Sequence, residues 1–331
     1  MEVNVMFRFR AFQLAGGTQV YNYTTSLSNS FPSEEVFLSP DFLSHIGRNR
    51  QNSFQKDSSF GYFKNIFVNK TADDINEYDY DTTAFMANEN INSFMFFLWF
   101  IKDCAAHLYE TILHAPKADA SFILSNHEIF TNTHGRQDIE IFTKDEVESA
   151  SRLMNDYRKN IQKTGEIFSI EPGFTFTDVA KYRLNLSPYN NMHRIQRAMT
   201  FLNFARKQSF IPLKISMYVP IYECLFTDNE QEIRHKIGER CAYYLGGSKD
   251  EKIYNYNIIK EAYDIRSRIL HGDKLSTKSK FGNTSTKDVQ IEICKKLDNL
   301  TRIVLSKIIM HDYELFLPDK ISNFYDSLIF N

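Results

Sequence analysis

Arg266 and His271 form the pair of side chains in this 331-residue chain that best suits chemistry on a phosphate group. A guanidinium stays charged and offers planar, paired donors to phosphate oxygens. An imidazole that titrates near neutral pH can accept and return protons, as a general acid–base catalyst must. On a helix, this spacing sets the two side chains roughly a turn and a half apart, so they can converge on one small anion.

A helix has to hold this pair, and the preceding residues predict one. Apolar side chains recur at helical intervals and form a core stripe of Ile258, Ala262, Ile265 and Ile269. Gly272 follows at the position where many helices end on a left-handed residue. His271 therefore falls in the last turn, where the helix dipole favours the protonated imidazole.

The segment from Tyr263 to Gly272 reads Tyr-Asp-Ile-Arg-Ser-Arg-Ile-Leu-His-Gly, and its Arg-x4-His core resembles the defining motif of the HEPN superfamily. The sequence of this segment looks most like that of the Apea-like HEPN branch. The resemblance extends upstream through 221–226 and 233–240 and downstream through a long final helix, so it covers residues 186–315. The motif is common by chance, but its place before a glycine at a helix end makes it more specific.

The resemblance implies a metal-independent endoribonuclease of the kind that serves antiviral defence or toxin systems. Arg266 would bind and polarise the scissile phosphate, and His271 would transfer the proton. The products would be a 2′,3′-cyclic phosphate and a 5′-hydroxyl. In the family, two motif helices face each other in a homodimer, so a homodimer acting on single-stranded or tRNA-like RNA is expected. No cofactor or metal is expected.

Four further residues are expected to support the pair: Glu223, Tyr263, Asp264 and Ser267. Glu223 stands in an otherwise apolar helix, so we expect it to pair with an arginine such as Arg240 or Arg266. Ser267 lies one turn before His271 and either orients the imidazole or faces solvent. Many HEPN nucleases carry Asn, Asp or His at the position of Ser267.

Four cations close to the motif are candidates for holding RNA: Arg268, Lys274, Lys278 and Lys280. The lysines lie in a stretch rich in Gly, Ser, Thr and Lys at 272–286, a flexible loop that is either simply solvated or a funnel for RNA. Asp264 and Arg268 are four residues apart with the acid first, so a surface ion pair accounts for them equally well.

A second hypothesis is a HEPN module without catalysis, which binds RNA or nucleotide or acts as a scaffold in a larger complex. Serine at position 267 can hydrogen-bond but carries no charge, which fits lost catalysis. On either hypothesis, the N-terminal domain would be a sensor, a regulator or a partner-binding part that receives a regulatory protein or an activating ligand.

Composition and the absence of known motifs narrow the classes of protein to which the chain can belong. Twenty-nine Phe and 18 Tyr, with 43% hydrophobic residues, are typical of a folded, aromatic-rich protein. The net charge of -2 gives no global attraction to nucleic acid, so any RNA contact must come from local patches. The sequence contains no phosphate-binding P-loop, no dinucleotide fingerprint, no His-Glu-x-x-His and no Gly-x-Ser-x-Gly.

The cysteines and the apolar runs predict a cytoplasmic protein. The four cysteines are isolated from one another, which argues against zinc and for reduced, buried thiols: Cys104, Cys224, Cys241 and Cys294. The N-terminus has no basic segment followed by an apolar run, so no signal peptide is expected. The most apolar run, 94–101, is far shorter than the ~20 residues that span a bilayer, so no membrane partner is expected.

The predicted fold class is α+β, with a mixed, β-rich N-terminal domain at 1–175, an all-α HEPN-like bundle at 186–315 and a tail at 316–331. The domain boundary is expected within 165–190. In the N-terminal domain we expect strands at 3–10 and 19–26 that form a hairpin, strands at 36–38, 60–68, 121–131 and 138–142, a helix at 103–114, and loops at 47–59 and 73–81. The apolar run 94–101 is either a buried strand or the start of a buried helix, and its aromatic content favours the strand.

Two segments of this domain carry further signals. The polar stretch 47–59, which includes Arg48 and Arg50, is either a solvated loop or a loop that contacts nucleic acid. Thr143 and Glu146 form a capping box that starts a helix reaching about residue 163.

The helices of the C-terminal part are predicted from apolar periodicity and end signals. We expect them from Asn190 or Asn191 to 207, across Pro212 to 226, at 230–245, at 251–271, and from Thr284 or Thr286 onward to Ile308. Pro220 should kink the second of these helices, and Gly246 with Gly247 should stop the third.

Overall fold

The computed structural model describes residues 2–17, 19–21, 25–54, 59–67, 77–161, 192–227, 233–274 and 286–330. The chain has an α+β fold, as its sequence predicts, and divides into two compact units. The N-terminal unit comprises 1–130, 137–154 and 165–186. The C-terminal unit comprises 131–136, 155–164 and 187–331.

The N-terminal unit is built on strands, which in its described part are β1 (Glu2–Arg10), β2 (Phe12–Leu14), β3 (Gln19–Tyr21), β4 (Thr25–Ser28), β5 (Phe60–Phe67), β6 (His107–Ala115), β7 (Ala120–Ser125) and β8 (Glu140–Phe142). Six of them form an antiparallel sheet in the order β3-β4-β5-β1-β6-β7. The remaining pair, β2 and β8, is parallel.

Strand β1 lies inside the sheet, between β5 and β6. Its side chains are buried on both faces, including Val3, Met6 and Phe7, all fully inaccessible. The hairpin expected between 3–10 and 19–26 is therefore wrong. Residues 19–21 and 25–28 form two short strands that pair with each other instead.

In its described part, the N-terminal unit has the helices α1 (Glu35–Leu38), α2 (Pro40–Ile46), α3 (Arg48–Phe54), α4 (Glu77–Phe97) and most of α5 (Lys144–Asn160). Two local predictions are wrong here. Residues 36–38, expected to be a strand, are helical, and 47–59, expected to be a loop, contains α3. Phe37 and Phe54 share one core cluster with Met6 and Ile112 of the sheet. Burial against the sheet thus outweighs the polar local composition.

The segment from 77 to 115 also corrects three predictions. Residues 77–81, expected in an acidic loop, begin α4, and 73–76 lie outside the described residues. The run 94–101, expected as a strand, completes α4 and a short 3₁₀ turn. Residues 103–114, expected as a helix, contain β6, which is buried on both faces and so lacks alternation.

Several other expected elements are confirmed. Strands β5, β7 and β8 fall within the segments expected to be strands, apart from the first residue of β7. The capping box before α5 is present, because the Thr143 amide donates to the Glu146 carboxylate and the Glu146 amide donates to Thr143 Oγ1. The connector expected at 165–177 lies outside the described residues.

The C-terminal unit is helical, with α6 (Arg194–Lys207), α7 (Ile211–Phe226), α8 (Ile233–Leu245), α9 (Lys249–Leu270), α10 (Thr286–Lys307) and α11 (Ile321–Phe330). The first five lie where they are predicted, within a few residues. Pro212 occupies the first turn of α7, and Pro220 lies inside that helix. Gly246 and Gly247, both at positive φ, follow the end of α8.

Both ends of this helical region differ from expectation. The cap of α6 is His193, whose Nδ1 accepts from the Ile195 amide, while Asn190 and Asn191 lie outside the described residues. The segment 316–331, expected to be a tail, contains α11. Tyr325 of α11 is fully buried, so this helix is part of the packed unit. No described helix is long and apolar enough to cross a membrane.

Candidate active site on helix α9

Helix α9 carries the motif, and local signals define both of its ends. At its start, Ser248 Oγ accepts from the Glu251 amide while the Glu251 carboxylate accepts from the Ser248 amide, which is a capping box. At its end, the Gly272 amide donates to Ile269 and the Asp273 amide donates to Arg268, at 3.2 and 2.8 Å. Together with φ of +72° at Gly272, these bonds form a Schellman motif.

The core-facing side chains of α9 become less buried towards the end of the helix. Ile258 and Ala262 are buried, so the first half of the predicted stripe is confirmed, and Tyr263 beside it is buried as well. Ile265 and Ile269 are half-buried, and Leu270 is 62% exposed. The last turn and a half of the helix therefore leaves the core and presents apolar surface beside His271.

Arg266 is held by Glu223 of α7. Its Nη1 donates to Glu223 Oε1 at 2.6 Å, and the Tyr263 hydroxyl donates to the same oxygen at 3.1 Å. The pairing of Glu223 with an arginine is confirmed, and the partner is Arg266. Both side chains are a little over a quarter exposed, so this ion pair lies at the edge of the packed unit.

One edge of the Arg266 guanidinium stays open. Among the described residues, its Nε and Nη2 have no hydrogen-bond partner. These two N–H groups lie side by side and form the fork that binds two oxygens of a phosphate or carboxylate. The arginine can therefore be positioned by Glu223 and still accept an anion.

His271 caps α9 and is exposed. Its amide donates to the Ser267 carbonyl at 3.0 Å, and within the described chain its imidazole forms no hydrogen bond. Five residues of α-helix separate it from Arg266, an angle of about 140° around the helix axis. The two side chains therefore leave α9 in different directions, and the convergence on one anion that their spacing suggested is not shown within a single copy of the chain.

The remaining predicted site residues lie around this helix end. Asp264, Ser267, Arg268 and Lys274 are all exposed. Lys278 and Lys280 lie outside the described residues, so their predicted part in RNA binding stays a prediction.

A cleft in the C-terminal unit lies away from the motif. Its volume is about 610 Å³, and its lining includes Gly247, Glu251 and Tyr254 near the start of α9 and Lys295 of α10. Tyr254 precedes Arg266 by twelve residues, about 18 Å along the helix. This cleft does not contribute to the Arg266 site.

A cluster in the N-terminal unit has the composition of a metal site but not its chemistry. Asp41, His45 and Asp119 offer ligand atoms within 4.8 Å of one another. However, His45 Nδ1 lies 2.8 Å from the Asp41 carbonyl and Nε2 lies 2.9 Å from the Asp119 carbonyl. Because carbonyl oxygens only accept, the two bonds together need the protonated ring, and in that form neither nitrogen has a lone pair for a metal.

The same hydrogen bonds explain the titration of His45. Its pKa is raised above 6.5, chiefly because the ring donates to the Asp41 carbonyl. Sequence reasoning missed this cluster because Asp119 lies 74 residues from His45. A histidine four residues after an aspartate was the available local signal.

The four cysteines form no disulfide among the described residues. Cys104, Cys241 and Cys294 are buried, and Cys224 is partly buried. Burial raises the pKa of the Cys241 thiol, so this group stays protonated at neutral pH.

Comparison of the chain with protein-family models, curated proteins and solved structures finds no match. The resemblance to HEPN proteins therefore remains a prediction from the motif and its surroundings.

Proposed function

We propose that the chain is a metal-independent endoribonuclease of the HEPN type, with Arg266 and His271 as its catalytic residues. The observation that carries the proposal is the placement of the motif. Arg266 is oriented by Glu223 with one bidentate edge open, and His271 sits exposed at the helix end. Both groups are accessible to a phosphodiester.

In the proposed reaction, the RNA 2′-oxygen attacks the adjacent phosphorus and the 5′-oxygen leaves. The bond from phosphorus to the 2′-oxygen forms as the bond to the 5′-oxygen breaks, which leaves a 2′,3′-cyclic phosphate and a 5′-hydroxyl. Arg266 stabilises the negative charge that builds on the phosphate oxygens. The 2′-hydroxyl gives up one proton and the 5′-oxygen takes one up, and His271 moves one of these protons while solvent water exchanges the other.

The two groups lie on different sides of α9, which favours a site completed by a second copy of the chain. In such a homodimer, His271 of one copy and Arg266 of the other would act on the same phosphate. The exposed Leu270, next to His271, supplies apolar surface for that contact. Use in antiviral defence or as a toxin is a further proposal and follows from the resemblance alone.

A non-catalytic module that binds RNA or nucleotide, or scaffolds a complex, is the alternative proposal. The ion pair favours it, because the Glu223 carboxylate offsets the charge of Arg266 and lowers its attraction for phosphate. The uncharged Ser267 favours it as well.

The test is cleavage of a mixed pool of labelled tRNA and single-stranded RNA with EDTA present. The proteins are wild type, Arg266→Ala, His271→Ala and, as a control, His311→Ala, which removes another exposed histidine of the same unit. We expect wild type and His311→Ala to yield cyclic-phosphate ends. Loss of the proton-transferring group should slow cleavage by about 10²-fold or more.

Two results would contradict the nuclease proposal. Cleavage that survives in both Arg266→Ala and His271→Ala would place the activity elsewhere or in a contaminant. Wild type that binds the RNA pool without cleaving it, with binding weakened by Arg266→Ala, would favour the binding module.

A further inference from the structure

A second polar cleft lies in the N-terminal unit and has no part in the function proposed above. Its volume is about 570 Å³, and its lining includes Arg8, Arg48, Arg50, Tyr109 and Glu110. Clefts of roughly 300–1,000 Å³ are the usual size of small-molecule sites. The polar groups of this cleft come from β1, the start of α3 and β6.

A buried ion pair forms the inner wall of the cleft. Arg8 on β1 and Glu110 on β6 are direct partners in the sheet register. Arg8 Nη1 donates to Glu110 Oε2 at 2.7 Å, and both side chains are less than 5% exposed. Arg8 Nη2 donates to Ser53 Oγ at 2.9 Å, and its guanidinium lies 4.6 Å from the centre of the Phe54 ring. These contacts fix the inner cation in place.

Glu110 also positions a second arginine and leaves part of it open. Arg50 Nε donates to Glu110 Oε1 at 2.9 Å, and the Arg50 side chain is 30% exposed. Among the described residues, Arg50 Nη1 and Nη2 have no partner. The end of the guanidinium, with its two nitrogens side by side, is therefore available to an anion.

Arg48 supplies a third guanidinium at the rim. It is exposed, and no described residue forms an ion pair or hydrogen bond with its side chain. Three guanidinium groups against the single carboxylate of Glu110 leave the cleft lining with two net positive charges. That charge matches a phosphate dianion better than a single carboxylate.

Tyr109 adds an aromatic surface to this charged lining. Its ring is 40% exposed and lies 5.2 Å from the Arg8 guanidinium and 4.6 Å from the Arg10 guanidinium. The ring provides contact area for the organic part of a ligand whose anionic end reaches Arg50.

We propose that this cleft binds a phosphorylated small molecule of about mononucleotide size. Its phosphate groups are bound by Arg48 and the free end of Arg50, and its organic part lies against Tyr109. The buried Arg8–Glu110 pair holds Arg50 in the binding orientation. A phosphate could also come from the end of an RNA strand, and the experiment separates these two sources.

Isothermal titration calorimetry on the full chain tests the proposal, with ADP, pyrophosphate, adenosine and a 5′-phosphorylated RNA trinucleotide as separate probes. We expect one ADP per chain, weaker pyrophosphate binding and no adenosine binding. Arg48→Gln should weaken ADP binding at least about tenfold, the effect of one charge-assisted hydrogen bond. Arg48→Gln combined with Arg50→Gln should abolish it.

The matched control is Arg152→Gln, which removes an exposed arginine of the same unit outside the cleft. It should bind ADP like wild type. Since Arg48 has no described partner, its variant should melt like wild type, so a loss of binding is not a loss of folding. Glu110 keeps Arg8 as its partner in the double variant.

Several results would overturn the proposal. Failure of both ADP and pyrophosphate to bind would remove it, as would ADP binding that is unchanged in the double variant. Adenosine binding as tight as that of ADP would show that phosphate is not recognised. Binding of the trinucleotide without ADP would replace the small molecule with an RNA end. None of these outcomes depends on RNA cleavage.

Discussion

Glu223 shows how one acidic residue can prepare a cation for ligand binding. It lies on the otherwise apolar α7 and accepts from both Arg266 and Tyr263. The pair is only partly shielded from water, so its contribution to stability is modest, about 1 kcal/mol or less. Its larger effect is geometric, because a long side chain with many rotamers is held with one edge of its guanidinium open.

His45 provides a pH-dependent contact whose sign follows from its partners. Its ring donates to two carbonyls and lies near the carboxylates of Asp41 and Asp119, which raises its pKa. A raised folded-state pKa adds stability that is fully present below the unfolded value of 6.5 and is lost as pH rises through the folded value. The pKa of the neighbouring His114 shifts in the opposite direction, because burial lowers it.

We therefore predict that His45→Gln lowers the melting temperature more at pH 5.5 than at pH 8.5, where fewer of the wild-type rings carry the proton. The comparison between variant and wild type at each pH removes most of the His114 contribution. His127→Gln, at an exposed histidine of the same unit, should show no such pH dependence. An equal loss at both pH values would mean that the charge on His45 does not stabilise the fold.

The turn at 131–136 belongs to the C-terminal unit although it lies in the first half of the chain. Its Thr131 amide donates to the Arg206 carbonyl at 2.7 Å. The buried Lys214 donates to the Thr131 carbonyl at 2.9 Å and to the Ala205 carbonyl at 3.1 Å. The buried ammonium is thus satisfied by carbonyls of the turn and of α6.

Gly135 allows this turn to approach the segment between α6 and α7. Its φ is +72°, and a β-carbon there would lie 2.1 Å from the Ser209 carbonyl oxygen. We expect Gly135→Ala to destabilise the protein by about 2 kcal/mol or more in urea unfolding, from backbone strain plus the steric clash.

The matched control for this variant is Gly272→Ala. Gly272 has the same φ of +72° but open space around its position, so the substitution adds strain without a clash. It should cost about 1 kcal/mol. Equal losses for the two variants would show that the turn does not pack against Ser209 as described.

Helix α11 closes the C-terminal unit, and Tyr325 is its main anchor. The ring is fully buried and lies 4.0 Å from the Arg240 guanidinium. Its hydroxyl accepts from Arg194 Nη1 at 2.9 Å and donates to the Leu225 carbonyl. Helices α6, α7 and α8 thus all contact one side chain from the last helix of the chain.

We predict that Tyr325→Ala lowers the free energy of unfolding by about 3–5 kcal/mol, as large-to-small core substitutions of aromatic residues do. Tyr325→Phe should cost about 1–3 kcal/mol, because it keeps the ring and removes a buried hydroxyl. Urea unfolding followed by the helical circular dichroism signal measures both. Tyr254→Ala, at a 52% exposed tyrosine of α9, should change little. A small loss in Tyr325→Ala would mean that α11 is a dispensable tail.

The division of the chain into units is less simple than its sequence suggests. Periodicity predicts one change from mixed structure to helices, within 165–190. In the structure the C-terminal unit also takes 131–136 and 155–164, so the end of α5 and a distant turn join it. These segments carry no compositional signal, because their assignment follows from contacts with residues far along the chain, such as Asn160 with Ile309.

Local sequence was sufficient for helices α6 to α10 to within a few residues, including the end of α9 at His271 and Gly272, but not for α11, which was expected to be a tail. Apolar residues at helical intervals and recognisable end residues mark the five predicted helices, so short-range physics determines their bounds. In the N-terminal unit, 94–101 and 103–114 were assigned the wrong way round, because most residues of 94–100 and of β6 are buried without the period that separates a helix from a strand. The Arg8–Glu110–Arg50 cluster joins residues up to 102 positions apart. Such contacts depend on strand pairing, and no local pattern encodes which strands become neighbours.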